Sequence, residues 1–374
     1  MAKRYSEIIR LFFSLLRSAL WDTPSQEAVT AQQFPRLMDL AKAQTVSGLM
    51  FDVLRNIRVE DERQIKTIVH KAYFHAEKIK KKNAELDKEL TWFAGQIAEH
   101  DLHCIVVKGQ LIARLYPKMG TRHTGDIDFL VPQEAAGTKT TPSETGTELQ
   151  KIAQIFPDAH IPEKLQEKEF AFRHEGRLYE LHARLTDFGC KKHEQLWESR
   201  IAKEWQHPYY VELDGVKVRT LSPTMNAAYL FVHLFFHLIR EGVSLRQFCD
   251  WAIFLHAYRD AIDRQQLTDF MQGMDMVQGY KAMGCILVDE LGLPEEEFPM
   301  PLTEADRHWK MKILSDIFRG GSFGKQNHHA KSKLGRKMET LRMAMRNSVR
   351  YRKLSPSEMR MMIPKMMKIN LKLI

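Results

Sequence analysis

Across 374 residues the composition is 44% hydrophobic and 28% charged, an ordinary globular balance with room for two or three packed units. The four cysteines, Cys104, Cys190, Cys249 and Cys285, are far apart with no CxxC pair, which argues against a disulfide framework or a structural zinc site and fits a reducing cytoplasm. The net charge of +9 is unevenly held: from 325 to 374 fourteen Lys and Arg face only Glu339 and Glu358, a surplus of twelve, so the rest of the chain sums to −3.

The first twenty residues carry Ile8, Ile9, Leu11, Phe12, Phe13, Leu15 and Leu16, but Arg10 and Arg17 interrupt them and no small-residue cleavage site follows. An amphipathic helix docked on the protein is expected there, not a signal peptide. No stretch approaches the roughly 18 uninterrupted apolar residues that a membrane span needs.

From about 31 to 99 the apolar residues recur at helical spacing, first Leu37, Leu40 and Ala41, then Val46, Leu49, Met50, Val53 and Leu54. The segment 62–100 predicts one long helix, lysine-rich on one side, with Ile65, Ile68, Val69, Tyr73, Ile79 and Leu86 on the other. Leu102–Val107 then reads as a buried strand stopped at Lys108-Gly109, and 110–116 as a short helix ending before Pro117. Residues 126–131 (DIDFLV) alternate, so Asp126, Asp128 and Leu130 share one face of a strand. Residues 136–147, rich in Thr, Gly, Ser and Pro, read as a surface loop. Hairpins are expected about Glu175-Gly176 and Asp214-Gly215, and after Ser222-Pro223 helical patterns run to the end. The organisation predicted is a helical region over 1–99, an α/β core over 100–221, and a helical C-terminal region over 222–374 with a basic tail. The fold class is α+β, with a small mixed sheet of five or so strands flanked by helices.

Two carboxylates two apart on a strand point the same way, and that arrangement can hold a pair of hard divalent cations for in-line phosphoryl transfer. An Asp-x-Asp pair alone is weak evidence, because solvated strand edges carry such pairs often. The context strengthens it: a strand, a Lys-Gly turn and a short helix precede Asp126 and Asp128. In Leu178–Leu185 (LYELHARL), Glu180 and His182 share a face. An outward Glu and His with no role is the plain alternative for a half-buried strand. Lys108 and Arg122 are the basic candidates for a polyphosphate, the Lys as a point charge and the Arg through two oxygens at once. The amides that open the helix after Gly109 also face an anion. For Arg122, pairing with an acid to fix the loop is an equal alternative.

Residues 106–131, VVKGQLIARLYPKMGTRHTGDIDFLV, resemble the bacterial nucleotidyltransferase family within the DNA polymerase β-like superfamily. The likeness lies in the Lys-Gly turn, the helix ending in Leu-Tyr-Pro, the Arg, and the Asp-Ile-Asp strand, and it covers about residues 35–260. It implies an NTP-dependent transferase with two Mg²⁺ ions, or Mn²⁺ in their place, held by Asp126, Asp128 and a third acid on a later strand. The family's acid followed two places on by His matches Glu180 and His182, which implies Glu180 as third metal ligand or general base. His182 would orient it or meet phosphate. Lys108, Gly109, Gln110 and Arg122 complete the implied NTP-binding set. The superfamily's Gly-Ser turn is here Lys108-Gly109-Gln110, which keeps the glycine and lacks the serine, and the interval to Asp126 is longer than in the smallest members.

Three features remain. His233 and His237 share a helical face, but Leu234 stands where a zinc protease would have Glu, so packed or hydrogen-bonded histidines lining a cleft are expected. Arg246 and Asp250 predict an intrahelical pair. In the tail, Met338, Leu341, Met345 and Val349 recur opposite Arg342, Arg346, Arg350 and Lys353. Docking of that apolar side is the commoner outcome, with nucleic acid or an anionic membrane as other partners. The function expected is NMP transfer from an NTP to a hydroxyl of an unidentified acceptor. A modifier of protein or RNA, including toxin-like members, and a non-catalytic scaffold are the alternatives.

Overall fold

The computed structural model describes residues 6–57, 59–60, 62–132, 142–165, 168–320 and 333–371. At the N-terminal end α1 (Glu7–Leu20), α2 (Gln33–Ala43) and α3 (Ser47–Leu54) are joined by a short parallel pair, β1 (Val29–Thr30) and β2 (Val59–Glu60). Leu11, Phe12, Phe13, Leu15 and Leu16 of α1 are buried, as an apolar stripe with Arg at its margins dictates. The lysine-rich segment is a single helix, α4 (Glu62–Glu99).

The central unit follows in the order β3 (Ile105–Val107), α5 (Gly109–Ala113), β4 (Asp126–Leu130), α6 (Pro142–Ile155), β5 (Glu169–His174), β6 (Arg177–His182), α7 (Lys191–Gln206), β7 (Tyr209–Leu213) and β8 (Val216–Thr220). Four strands form the main sheet in the order β3-β4-β6-β5, with β4 and β6 parallel and the outer pairs antiparallel. Among the described residues this small mixed sheet has four strands, close to the five or so expected, and β7 and β8 make a separate antiparallel ribbon. The expected loop over 136–147 is corrected in part. Residues 142–147 are the first turns of α6, because Pro142 has the φ of a first helical position and Leu149, Ile152 and Ile155 are buried further along the helix. Residues 136–141 lie outside the described residues.

The C-terminal helices are α8 (Pro223–Arg240), α9 (Leu245–Ala257), α10 (Arg264–Gly273), α11 (Val277–Asp289), α12 (Glu304–Arg307), α13 (Lys310–Gly320), α14 (Lys333–Arg350) and α15 (Pro356–Leu371). Helix α8 starts where Ser222 accepts from the Met225 amide at 3.4 Å, with Pro223 next. Apolar on nearly every side, α8 runs through the interior.

The two faces of the sheet meet different surroundings. Val106, Ile127, Phe129, Tyr179 and Leu181 pack on Leu86, Leu90 and Phe93 of α4 and on Leu149 and Ile152 of α6. Ile105, Val107 and Leu130 belong to the larger core, which the N-terminal helices share with α8, α9 and α11. Asp126 and Asp128 point to this second face by strand alternation, so the carboxylates look toward α8 and α9.

One tail expectation changes. The buried face of α14 is Met343, Ala344, Asn347 and Ser348, while Met338, Met345 and Val349 are exposed at 42%, 39% and 60%. The Asn347 amide fixes this face by donating to the Leu238 and Ile239 carbonyls at the end of α8, at 3.0 and 3.3 Å. In α15, buried Glu358 accepts from the Gly189 and Cys190 amides and pairs with His193, which ties the tail to the start of α7. Lys325 and Lys331 lie outside the described residues.

The segment between α5 and β4, which delivers Asp126, is held against α3 at Gly48. A Cβ at that position would lie 2.2 Å from the Thr121 carbonyl oxygen. Gly48→Ala is therefore expected to lose about 1–3 kcal/mol of stability, the range for overpacking, read from urea unfolding. An unchanged midpoint would show that the segment yields freely.

Candidate active site

The site begins at a strained turn. Lys108 has φ 46° and Gly109 φ 51°, a left-handed stretch in which the glycine is easy and the lysine is not. A Cβ on Gly109 would sit 3.1 Å from the Asp126 carbonyl oxygen, so the turn packs directly on the start of β4. Parallel pairing then sets Asp128 opposite Glu180, and Leu130 opposite His182. This register brings together acids 52 positions apart in the chain, 128 and 180.

Asp128 is 2% exposed. Its Oδ1 lies 3.0 Å from Lys108 Nζ and 2.9 Å from His182 Nε2. Burial alone would raise its pKa, but Lys108 and His182 together hold it well below the usual carboxylate range. Lys108 is likewise held charged despite its burial, by Asp128 first, and its ammonium lies 5.9 Å from the Tyr229 ring centre. Asp126 and Glu180 behave oppositely. Burial and then the Asp128 charge raise Asp126, while burial, Asp128 and Asp126 push Glu180 up to about 8. A site of this kind holds more negative charge than its own cations neutralise. The oxygens of Asp128 and Glu180 and a ring nitrogen of His182 all lie within 4.8 Å of one another, a donor set able to hold a metal ion.

These groups line a cavity of about 310 Å³. Gly109, Gly125, Arg122, Arg246, Gln247, Asp250, Lys168, Glu169, His233, His237 and Glu241 line it as well. The expected intrahelical Arg246–Asp250 pair is corrected. Asp250 is taken instead by Arg122, bidentate at 2.6 and 2.8 Å, and by the Tyr116 hydroxyl at 2.8 Å. Arg246 donates to the His123 carbonyl at 2.9 Å. A planar fork meeting a planar carboxylate beats the looser helical spacing. Both arginines line the cavity, while Arg122 Nη1 and Arg246 Nε are themselves buried without a hydrogen-bond partner. Gln110 turns away: its amide reaches the Asn83 carbonyl on α4 at 3.3 Å, and it does not line the cavity. His233 and His237 do line it, their ring centres 4.4 Å apart.

Lys168, Glu169, Glu241 and Tyr229 were not singled out from sequence. For Glu169 a signal existed. A two-residue turn at Glu175-Gly176 pairs His174 with Arg177, and counting outward places Glu169 opposite His182.

The sequence profile of a family described as uncharacterised nucleotidyltransferase matches residues 30–280, well over half of the chain. The chain belongs to this nucleotidyltransferase family. No curated protein matches it. Among solved structures, the crystal structure of an antigenic nucleotidyltransferase-like protein from Paracoccidioides brasiliensis is similar at 15% identity, with 60% of this chain and 97% of that chain covered and a TM-score of 0.34. The matched span includes Asp126, Asp128, Glu169, Glu180, Glu241 and Asp250 and both arginines. None of its described helices is long and apolar enough to cross a membrane.

Proposed function

We propose that the protein transfers a nucleoside monophosphate from an NTP to a hydroxyl group of an acceptor, at Asp126, Asp128 and Glu180. One observation carries this: three carboxylates from two strands face a glycine turn, a buried lysine and two arginines across a single cavity. In the reaction a bond forms between the acceptor oxygen and the α-phosphorus, and the bond to the β-phosphate oxygen breaks. Pyrophosphate leaves with the electron pair, and the hydroxyl proton passes to solvent water.

The donor set fits divalent cations, Asp128 and Glu180 with Asp126 beside them. Bound cations would neutralise phosphate charge and hold the attacking and departing oxygens in line. The protein's own residues do the positioning. Arg122 and Arg246 line the cavity and bring positive charge to polyphosphate oxygens. Gly109 lets the backbone approach without a side chain between. Lys108 adds a charge that burial keeps from being screened.

Because Glu180 sits near 8, an incoming cation displaces its proton. Affinity for a divalent cation is therefore expected to rise about tenfold per pH unit from pH 6 to pH 8 and to level above that. Titration calorimetry in buffers of different ionisation heat would count the released proton. A flat profile would remove Glu180 from the ligands.

Incubation with α-labelled NTPs and either Mg²⁺ or Mn²⁺, with and without cell extract, tests the transfer itself. Label on protein, RNA or a small molecule names the acceptor class. No nucleotide-dependent label in any fraction would favour a non-catalytic scaffold.

A further inference from the structure

His182 is placed between two carboxylates, and the placement is set by the sheet on both sides. Across β6–β4 its Nε2 lies 2.9 Å from Asp128 Oδ1, and along β6 it lies 3.8 Å from Glu180 Oε2. Across β6–β5 it is directly opposite Glu169, whose Oε2 is 3.7 Å from His182 Nδ1. The ring is 2% exposed, and Nδ1 is buried without a hydrogen bond. A neutral imidazole has one N–H and therefore satisfies only one of these two acidic neighbours. A proton on Nδ1 aimed at Glu169 leaves the Nε2 lone pair facing the Asp128 and Glu180 oxygens. A cation shared by those three atoms satisfies the arrangement. Ligand atoms about one ion at bond lengths of 2.0–2.2 Å are about 3–3.5 Å apart, and the spacings to Nε2 bracket that range.

We propose that His182 is a metal ligand through Nε2, and that Glu169 is a positioning residue that accepts its Nδ1–H. The proposal rests on the reading that Asp126, Asp128 and Glu180 form a cation site, and adds a nitrogen donor to that site. Carboxylate–histidine–metal relays of this kind fix the tautomer and the ring orientation. An imidazole donor also changes which ion the site selects. All-oxygen sites suit Mg²⁺, whereas a nitrogen ligand favours first-row transition ions such as Mn²⁺ or Zn²⁺. The chemical class of cofactor assigned here is therefore a divalent transition ion in preference to Mg²⁺.

The test uses the purified full chain with Mn²⁺ as probe and no nucleotide. Pulsed electron paramagnetic resonance of bound Mn²⁺ is expected to show coupling to a directly ligated ¹⁴N in the wild type, lost in His182→Asn. Because the decisive spectrum is that of the wild type, failure of a variant to fold does not spoil it. Calorimetric competition is expected to give Mn²⁺ at least about tenfold tighter than Mg²⁺. Glu169→Gln should weaken Mn²⁺ about tenfold or more, the range for losing such a partner, with a smaller effect on Mg²⁺. Mn²⁺ bound without ¹⁴N coupling, or an Mn²⁺ to Mg²⁺ ratio unchanged in His182→Asn, overturns the proposal and leaves the acidic site standing. No Mn²⁺ binding, or binding unaffected by Asp126→Asn, overturns both.

Discussion

Asp126→Asn is expected to abolish turnover, by a factor of a thousand or more, and at the same time to raise the melting temperature of the cation-free protein. Asp128→Asn is expected to abolish turnover equally and to lower that temperature. The two residues share a face of β4, and their opposite effects on stability follow from their partners. Asp126 is ionised against burial and against Asp128, so its pKa is raised. A carboxyl raised in the fold contributes stability that is full below its unfolded pKa and is lost as the pH climbs through the folded value. Near pH 7 its charge is a burden, which asparagine removes. Asp128 has a depressed pKa, so its contribution is present above the unfolded value and lost as the pH falls through the folded one. Replacing it by asparagine keeps an acceptor but strands the Lys108 ammonium without its counter-charge. Loss of one partner from a buried pair costs about 3–5 kcal/mol. Differential scanning fluorimetry in chelator, alongside turnover, measures both. Equal shifts of the same sign would contradict the electrostatic account of the site.

The second large effect is expected at Asp250, a residue on α9 that holds the chain between α5 and β4 in place. Side chains of Arg122 and Asp250 are 6% and 7% exposed, and the carboxylate takes two guanidinium bonds and one from Tyr116. Asp250→Ala leaves a buried guanidinium without its carboxylate and is expected to cost about 3–5 kcal/mol in urea unfolding. Turnover should fall with it, because the same segment carries Gly125 and Asp126 into the cavity. The double variant Arg122→Met with Asp250→Leu separates the roles. Exchanging both charges for apolar side chains is often near neutral for stability, so the fold should recover. Turnover should not, since the Arg122 charge at the cavity is gone. A double variant with normal turnover would confine Arg122 to a structural role.

Much of this arrangement is legible in the sequence because it rests on local periodicity. The alternation of 126–131 places two acids on one strand face, and Glu175-Gly176 and Asp214-Gly215 mark both hairpins. What could not be read is what depends on partners distant in the chain. The choice of Asp250 by Arg122, instead of Arg246 four residues before it, is decided by a contact between segments 128 positions apart. The α14 stripe misleads for a similar reason. Its buried face includes Asn347 and Ser348, and the carbonyls that satisfy the Asn347 amide lie more than a hundred residues earlier. Hydrophobic periodicity has no means of ranking such a face above the row of Met338, Met345 and Val349. Gln110 was placed by analogy with a turn residue, but its amide finds the α4 backbone first.

The most direct measurement is a crystal structure of the protein with Mn²⁺ and a non-hydrolysable NTP, with anomalous scattering used to locate the metal. The account predicts Mn²⁺ peaks among Asp126, Asp128 and Glu180, with the triphosphate against Lys108, Gly109 and Arg122. Nucleotide bound elsewhere, or a fully occupied nucleotide with no anomalous peak at these carboxylates, would contradict it.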